Sequence, residues 1–186
     1  MPEVPSSAPL PCPVSVDHVT VDAERFKAAL RHHAAGVAVV TADVEGPLAL
    51  TASSVTSVSA DPAVLLFSVS SMTGTGRAIA SAPTAVIHLL DAEDHPLAVR
   101  CADPSADRFS DPTTWERLPS GEPAFLGPRT VLRGVVLQRL VFGGATVVVL
   151  AVTDVVDRSG AESAQRSPLA YVDRRWHALD PDSSIG

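Results

Sequence analysis

The stretch Leu50-Thr51-Ala52-Ser53-Ser54-Val55-Thr56-Ser57-Val58-Ser59-Ala60-Asp61-Pro62 is nearly all small side chains and hydroxyls. Small side chains let a second molecule approach the backbone, whose N–H and C=O groups can then bond the polar rim of a planar ligand. The same composition also serves a plain serine-rich loop, because Ser and Thr bond their own backbone in turns. Composition alone leaves both readings open. Chemistry carried only by protein side chains finds no support. There is no G-x-G-x-x-G after a strand, no phosphate-binding G-x-x-x-x-G-K and no G-x-S-x-G nucleophile elbow. Gly74-Thr75-Gly76 precedes a helical stretch but lacks the rest of a dinucleotide fingerprint. The six histidines, His18, His32, His33, His88, His95 and His177, show no metal-ligand spacing. Redox chemistry would therefore come from a bound organic cofactor.

The elements that must position this stretch are mostly strands. Residues 1–20 hold five prolines, Pro2, Pro5, Pro9, Pro11 and Pro13, a composition that reads as a flexible arm or a strap across a partner. The domain is expected over 21–182. Asp22 can cap a helix to about Ala35, with Phe26, Ala29, Leu30 and His33 at one-face spacing. Val37–Asp43 and Leu48–Val55 are apolar and β-branched, joined by Val44-Glu45-Gly46-Pro47, a hairpin signal. The hydroxyl-rich stretch then rides on a strand and its exit loop. Ala63–Ser70 is the next strand, Thr75–Ala82 a short helix stopped by Pro83, and Thr84–Leu90 a fourth strand. Asp91 caps a helix carrying Leu97, Ala98 and Cys101 on one side. Asp103 to Gly127 is irregular, with four prolines and Trp115, a length usual for functional loops. Thr130–Val141 and Ala145–Val156 are long strands, followed by Leu169–Val172 and Trp176–Leu179. Hairpin-linked strands with few helices predict a mainly β fold with α, an antiparallel barrel or sandwich.

Length and charge narrow the class. A chain of 186 residues suits one domain with its own core. A net charge of −7 and a pI near 5.2 disfavour a nucleic-acid surface. The two cysteines, Cys12 and Cys101, form no framework, and Cys101 reads as a small apolar filler on a helix. No apolar run approaches the ~18 residues of a membrane span, so no membrane partner and a cytoplasmic location are the expectation.

Taken in order, several segments resemble the flavin reductase family, the NAD(P)H:flavin oxidoreductases that serve two-component monooxygenases. They are Phe26-Lys27-Ala28-Ala29-Leu30 with Ala34-Ala35-Gly36-Val37-Ala38-Val39-Val40-Thr41, then Leu50 to Pro62, Ser70-Ser71-Met72-Thr73-Gly74-Thr75, Asp107-Arg108-Phe109 and Pro168-Leu169-Ala170-Tyr171. The resemblance spans about residues 22 to 180. It implies a split antiparallel β-barrel with a few flanking helices, binding FMN or FAD, with NADH or NADPH as co-substrate. It also implies a homodimer and a partner oxygenase component. By the same resemblance Thr51, Ala52, Ser53, Ser54, Val55 and Thr56 lie along the flavin ring. Ser70, Ser71, Thr73 or Thr75 meets its phosphate, as hydroxyls and N–H groups at a helix start favour phosphate. Arg108 of Asp-Arg-Phe could pair with phosphate, or be an ordinary surface arginine bonded to Asp107 or Asp111, with Phe109 beside it. One departure stands out: Gly143-Gly144-Ala145 occupies the hairpin turn where many members carry Gly-Asp-His, a histidine near the nicotinamide. His177 could supply an imidazole in its place, or be an edge-strand surface residue. The alternatives to a reductase are a flavin-binding oxidase or biosynthetic enzyme without efficient NAD(P)H reduction, or a non-enzymatic flavin carrier.

Overall fold

A computed structural model describes residues 21–70, 74–158, 167–180 and 182, in two units, Met1–His33 and Ala34–Gly186. The first contains helix α1 (Ala23–Leu30). Asp22 caps it as its sequence predicts, its carboxylate accepting from the N–H groups of Glu24 and Arg25 at 3.0 and 3.1 Å. The helix stops at Leu30, so His33 falls beyond it rather than on its face.

In the second unit the chain runs through β1 (Ala35–Gly36), β2 (Ala38–Asp43), β3 (Pro47–Ala52), β4 (Thr56–Ala60), β5 (Ala63–Ser70), helix α2 (Gly74–Ser81) and β6 (Thr84–Leu89). A 3-10 turn (Ala92–Asp94) leads into α3 (His95–Ala102), then β7 (Trp115–Arg117), β8 (Pro123–Phe125), β9 (Thr130–Phe142), β10 (Ala145–Asp157), β11 (Leu169–Val172) and β12 (Arg175–Ala178). Seven strands form one antiparallel sheet in the order β3-β2-β6-β9-β10-β5-β4. Its two edge strands, β3 and β4, are consecutive in the chain. The sheet is a split barrel whose open seam carries the hydroxyl-rich stretch. The sequence predicts a loop where β4 lies and irregular chain where β7 and β8 pair; the Thr, Ser and Ala side chains of β4 sit mostly exposed on an edge, so no apolar alternation announces it, and β7 and β8 have three residues each, too few to show a period.

Period-two burial builds the core. Leu65, Phe67 and Val69 of β5 and Val148 and Leu150 of β10 face Ile79 of α2 and Ile87 of β6. Strand β2 is buried on both sides: Ala38, Val40 and Ala42 join this core, while Val39 joins a second one with Leu97 and Cys101 of α3 and Phe125. That explains its unbroken apolar run. The fully buried His88 is paired at both ring nitrogens. His88 donates from Nδ1 to the Val39 carbonyl at 3.1 Å and accepts the Phe125 N–H at Nε2, 3.0 Å away. Burial, assisted by Arg158 and opposed by the Val39 bond, lowers its pKa to about 4, so it is neutral. No helix among the described residues is long and apolar enough to cross a membrane.

Candidate functional site

The seam is held shut at one point by Ser54. Its hydroxyl donates to the Ser68 carbonyl (2.8 Å) and accepts the Ser68 N–H (3.0 Å), joining the exit of β3 to β5, which are not sheet neighbours. Thr51 is committed in a similar way, donating from Oγ1 to the Ala98 carbonyl at 2.6 Å and tying α3 to β3. Between these ties lies a cavity of about 770 Å³. Ala52 and Ser53 form its floor from β3, Ser68 and Ser70 a wall from β5, Thr75 and Gly76 a corner from α2, and Ala102 and Arg108 the side beyond α3.

The start of α2 is pressed against the end of β5. A Cβ on Gly76 would stand 2.1 Å from the Ser70 carbonyl oxygen, so only glycine permits this approach. At the other end of α2, Arg139 of β9 donates to the Ala80, Ser81 and Ala82 carbonyls, at 2.6, 3.1 and 2.5 Å. A cation on the last carbonyls suits the helix dipole and fixes the helix so that its first N–H groups border the cavity. Arg108 is the one charged residue among the described lining residues. Its Nη2 donates to the Asp103 carbonyl at 2.8 Å, while its buried Nε has no partner among the described residues. Cys101 also lines the cavity; burial raises its thiol to about 11 against the pull of Arg100 and Arg108, so it is a neutral filler, as its place on the helix predicted.

The cavity therefore has a floor of small side chains and one cationic, hydroxyl-bearing end with no carboxylate among its described lining residues. These features fit a flat ring carrying a phosphate tail. The flavin reductase like domain matches residues 30–180. The chain belongs to that family. An NADH:FMN oxidoreductase of Rhodococcus erythropolis is 37% identical over 157 residues, covering 84% of this chain and 81% of that protein. The reductase component of a 4-nitrophenol 4-monooxygenase/4-nitrocatechol 2-monooxygenase from Rhodococcus opacus is 36% identical over 92 residues, 49% of this chain and 50% of that one. The crystal structure of a flavin reductase domain protein from Arthrobacter sp. FB24 superposes with a TM-score of 0.76 at 31% identity, covering 85% of this chain and 96% of that chain.

In this flavin reductase fold the expected site residues divide. Thr51, Ala52, Ser53, Ser54, Ser70, Thr75 and Arg108 come together around the cavity. Val55 instead packs on the main core, and Thr56 is exposed at the start of β4; neither lines the cavity. Phe109 stacks on Phe125 (centroids 5.3 Å apart, 9° between planes) and meets Trp115 edge-on at 5.0 Å, so its ring props the Arg108 loop from the core. Ser71 and Thr73 lie outside the described residues. His177 is exposed on β12, and strand alternation turns it to the face opposite Trp176. The hairpin turn at Gly143-Gly144-Ala145 sits beside the hydroxyl end, where Ala145 pairs with Ser70. Sequence reading missed Ser68, Gly76 and Ala102. Only the Gly76 spacing behind a strand end carried any signal for them.

A smaller cavity of about 180 Å³ adjoins the first, sharing Thr51, Ser53 and Ala102 with it and walled by Val37, Tyr171 and Trp176.

Proposed function

We propose that this chain is a flavin reductase that transfers hydride from NADH or NADPH to FMN or FAD in the cytoplasm and supplies reduced flavin to a partner oxygenase. The observation that carries this reading is the cavity at the seam, small-walled along one side and cationic at one end. The likeness to the two Rhodococcus proteins supports flavin reduction by NADH and service to an oxygenase. Bound flavin would accept hydride from the nicotinamide, and the protein's work is to hold the two rings in register and exclude side reactions. Ser53 and Ala52 leave the floor open to a flat ring. Ser70, Thr75, the start of α2 and Arg108 would hold the phosphate. No side chain in the cavity has to act as acid or base. A homodimer is supported by the apolar end of the β9–β10 hairpin, where Leu137, Val141 and Phe142 are 59%, 69% and 52% exposed.

Anaerobic mixing with NADH should bleach the visible band of FMN or FAD rapidly in the presence of the protein. A second reading, a flavin protein without efficient nicotinamide reduction, is favoured by the side-chain-poor turn Gly143-Gly144-Ala145. Bound flavin that stays yellow under NADH and NADPH would select it. Within the proposed site, Thr75→Ala should weaken FMN binding by about 1–3 kcal/mol, the range for losing a partner to a charged acceptor. An unchanged dissociation constant would remove Thr75 as a phosphate ligand.

A further inference from the structure

Helix α2 cannot hold itself in place. It has eight residues, fewer than an isolated helix needs in water, and its first turn contains two glycines and a threonine, all poor helix formers. Gly74, Thr75 and Gly76 line the cavity, and only Ile79 and Ala80 of the helix are buried. Its position is therefore set by what grips it. One grip is Gly76 against the Ser70 carbonyl. The other lies at the far end and comes wholly from β9. Four consecutive carbonyls accept from that strand: Ala80, Ser81 and Ala82 from the Arg139 guanidinium, and Pro83 from the Val136 N–H at 2.9 Å. None of the ion pairs among the described residues includes Arg139, so no carboxylate there offsets its charge.

A bulge in β9 aims this side chain. Val136 pairs with Leu150 and Gln138 with Val149, which leaves Leu137 as one extra residue on β9. Leu132 and Val136 pack on the core that holds Ile79 of α2. Unbroken alternation would continue that face through Gln138; the extra residue passes it to Arg139 instead.

On the reading that the larger cavity seats flavin with its phosphate at the start of α2, we infer that Arg139 is a positioning residue that sets how strongly the protein prefers a phosphorylated flavin over riboflavin. It does so without lining the cavity. Riboflavin has the ring and ribityl chain of FMN and lacks the phosphate. The ring's share of binding passes through Ala52 and Ser53 of β3, which is not the element Arg139 grips. The phosphate's share passes through the first N–H groups of α2 and the Thr75 hydroxyl, whose places depend on the helix. Those bonds weaken steeply once their donors tilt. The Arg139 charge also sits at the negative end of the helix dipole, which stabilises the orientation whose positive end faces the anion. The effect of Arg139 is thus confined to the anionic part of the ligand.

Titrations of the full chain with FMN and with riboflavin, read by flavin fluorescence, test this. The unmodified protein should bind FMN more tightly. Arg139→Gln should weaken FMN binding about five- to tenfold, as for loss of a charge and its bonds at a helix end, and leave riboflavin within about twofold. Arg139→Lys should keep part of the preference, because an ammonium restores the charge but not the fork that spans three carbonyls. An equal loss for both flavins would make Arg139 a general brace of the fold and overturn the inference. Either variant with the parent's preference overturns it too. If Arg139→Gln does not fold, the Lys variant decides by the same ratio. FMN and riboflavin bound equally by the unmodified protein would reject the phosphate seat, and the inference with it, before any variant is made. FMN left unbound would reject the flavin reading altogether.

Discussion

The cavity at the seam and the polar knot around Glu122 are both rich in hydroxyls, and each holds an arginine, yet the two are wired in opposite ways. In the knot, Arg133 bonds both oxygens of Glu122 (2.7 and 3.2 Å), Ser120 (2.8 Å) and Thr153 (3.0 Å). Burial would raise the Glu122 carboxyl, but the bonds from Arg133, Ser120 and Thr84 outweigh it and hold the pKa down at about 2. In the cavity, Arg108 keeps a buried Nε without a partner among the described residues, while Ser53 and Ser70 are exposed and Thr75 is half-buried. Buried polar groups left open cost free energy unless something binds them. The knot is thus part of the scaffold, whereas the cavity keeps an arginine nitrogen open, as the proposed flavin site requires.

The largest test of that contrast removes one charge from the knot. Glu122→Gln should destabilise the fold by about 3 kcal/mol, the low end for a broken buried pair because the Arg133 side chain keeps 21% exposure. Chemical denaturation should show this loss while FMN affinity stays unchanged. Weakened FMN binding in a folded variant would mean that the two regions are not independent.

Acid should act through the scaffold in the same way. The unfolded chain takes up the His88 proton near pH 6.5, the folded chain only near pH 4. Stability from this group is whole above pH 6.5 and falls as pH drops toward 4, by about 3 kcal/mol in all. Glu122 adds a further loss from about pH 4.5 down to about 2. A denaturation midpoint that is flat from pH 6.5 to 4 would show that His88 is not buried neutral.

A smaller effect should appear at the site itself. Gly76→Ala places a methyl against the Ser70 carbonyl and costs about 1–3 kcal/mol of strain. The start of α2 can escape only by moving away from β5, so FMN affinity should fall with stability, read by quenching of flavin fluorescence. An FMN affinity equal to the parent's would separate α2 from the phosphate end. The smallest contrast lies between two adjacent serines. Ser54→Ala loses both Ser68 bonds and should cost about 1 kcal/mol of stability. Ser53→Ala should cost less than about 0.5 kcal/mol, as an exposed surface change does. Equal costs would erase the distinction between stitch and floor.

Much of this site was legible before any coordinates. The Thr-Ala-Ser-Ser run marked the seam, Ser70 and Thr75 the far end, and Asp-Arg-Phe the arginine. What could not be read was which hydroxyls remain open. Thr51 and Ser54 look like Ser53 in sequence, but their partners, Ala98 and Ser68, lie 47 and 14 residues away. Phe109 likewise reads as a neighbour of the site residue Arg108 until Phe125 and Trp115 claim its ring.

The sequence by itself determined most of the strands (though not β4, β7 or β8), the helix capped at Asp22, the small-residue floor and the family, because these follow from local periodicity and from side-chain size at fixed spacing. Only the tertiary structure decided the closing of the seam by Ser54, the glycine contact that sets α2 against β5, and the meeting of Tyr171 and Trp176 beside Ser53. Those depend on backbone groups and rings far apart in the chain, and a contact between distant residues leaves no local pattern until the sheet has curled to bring them together.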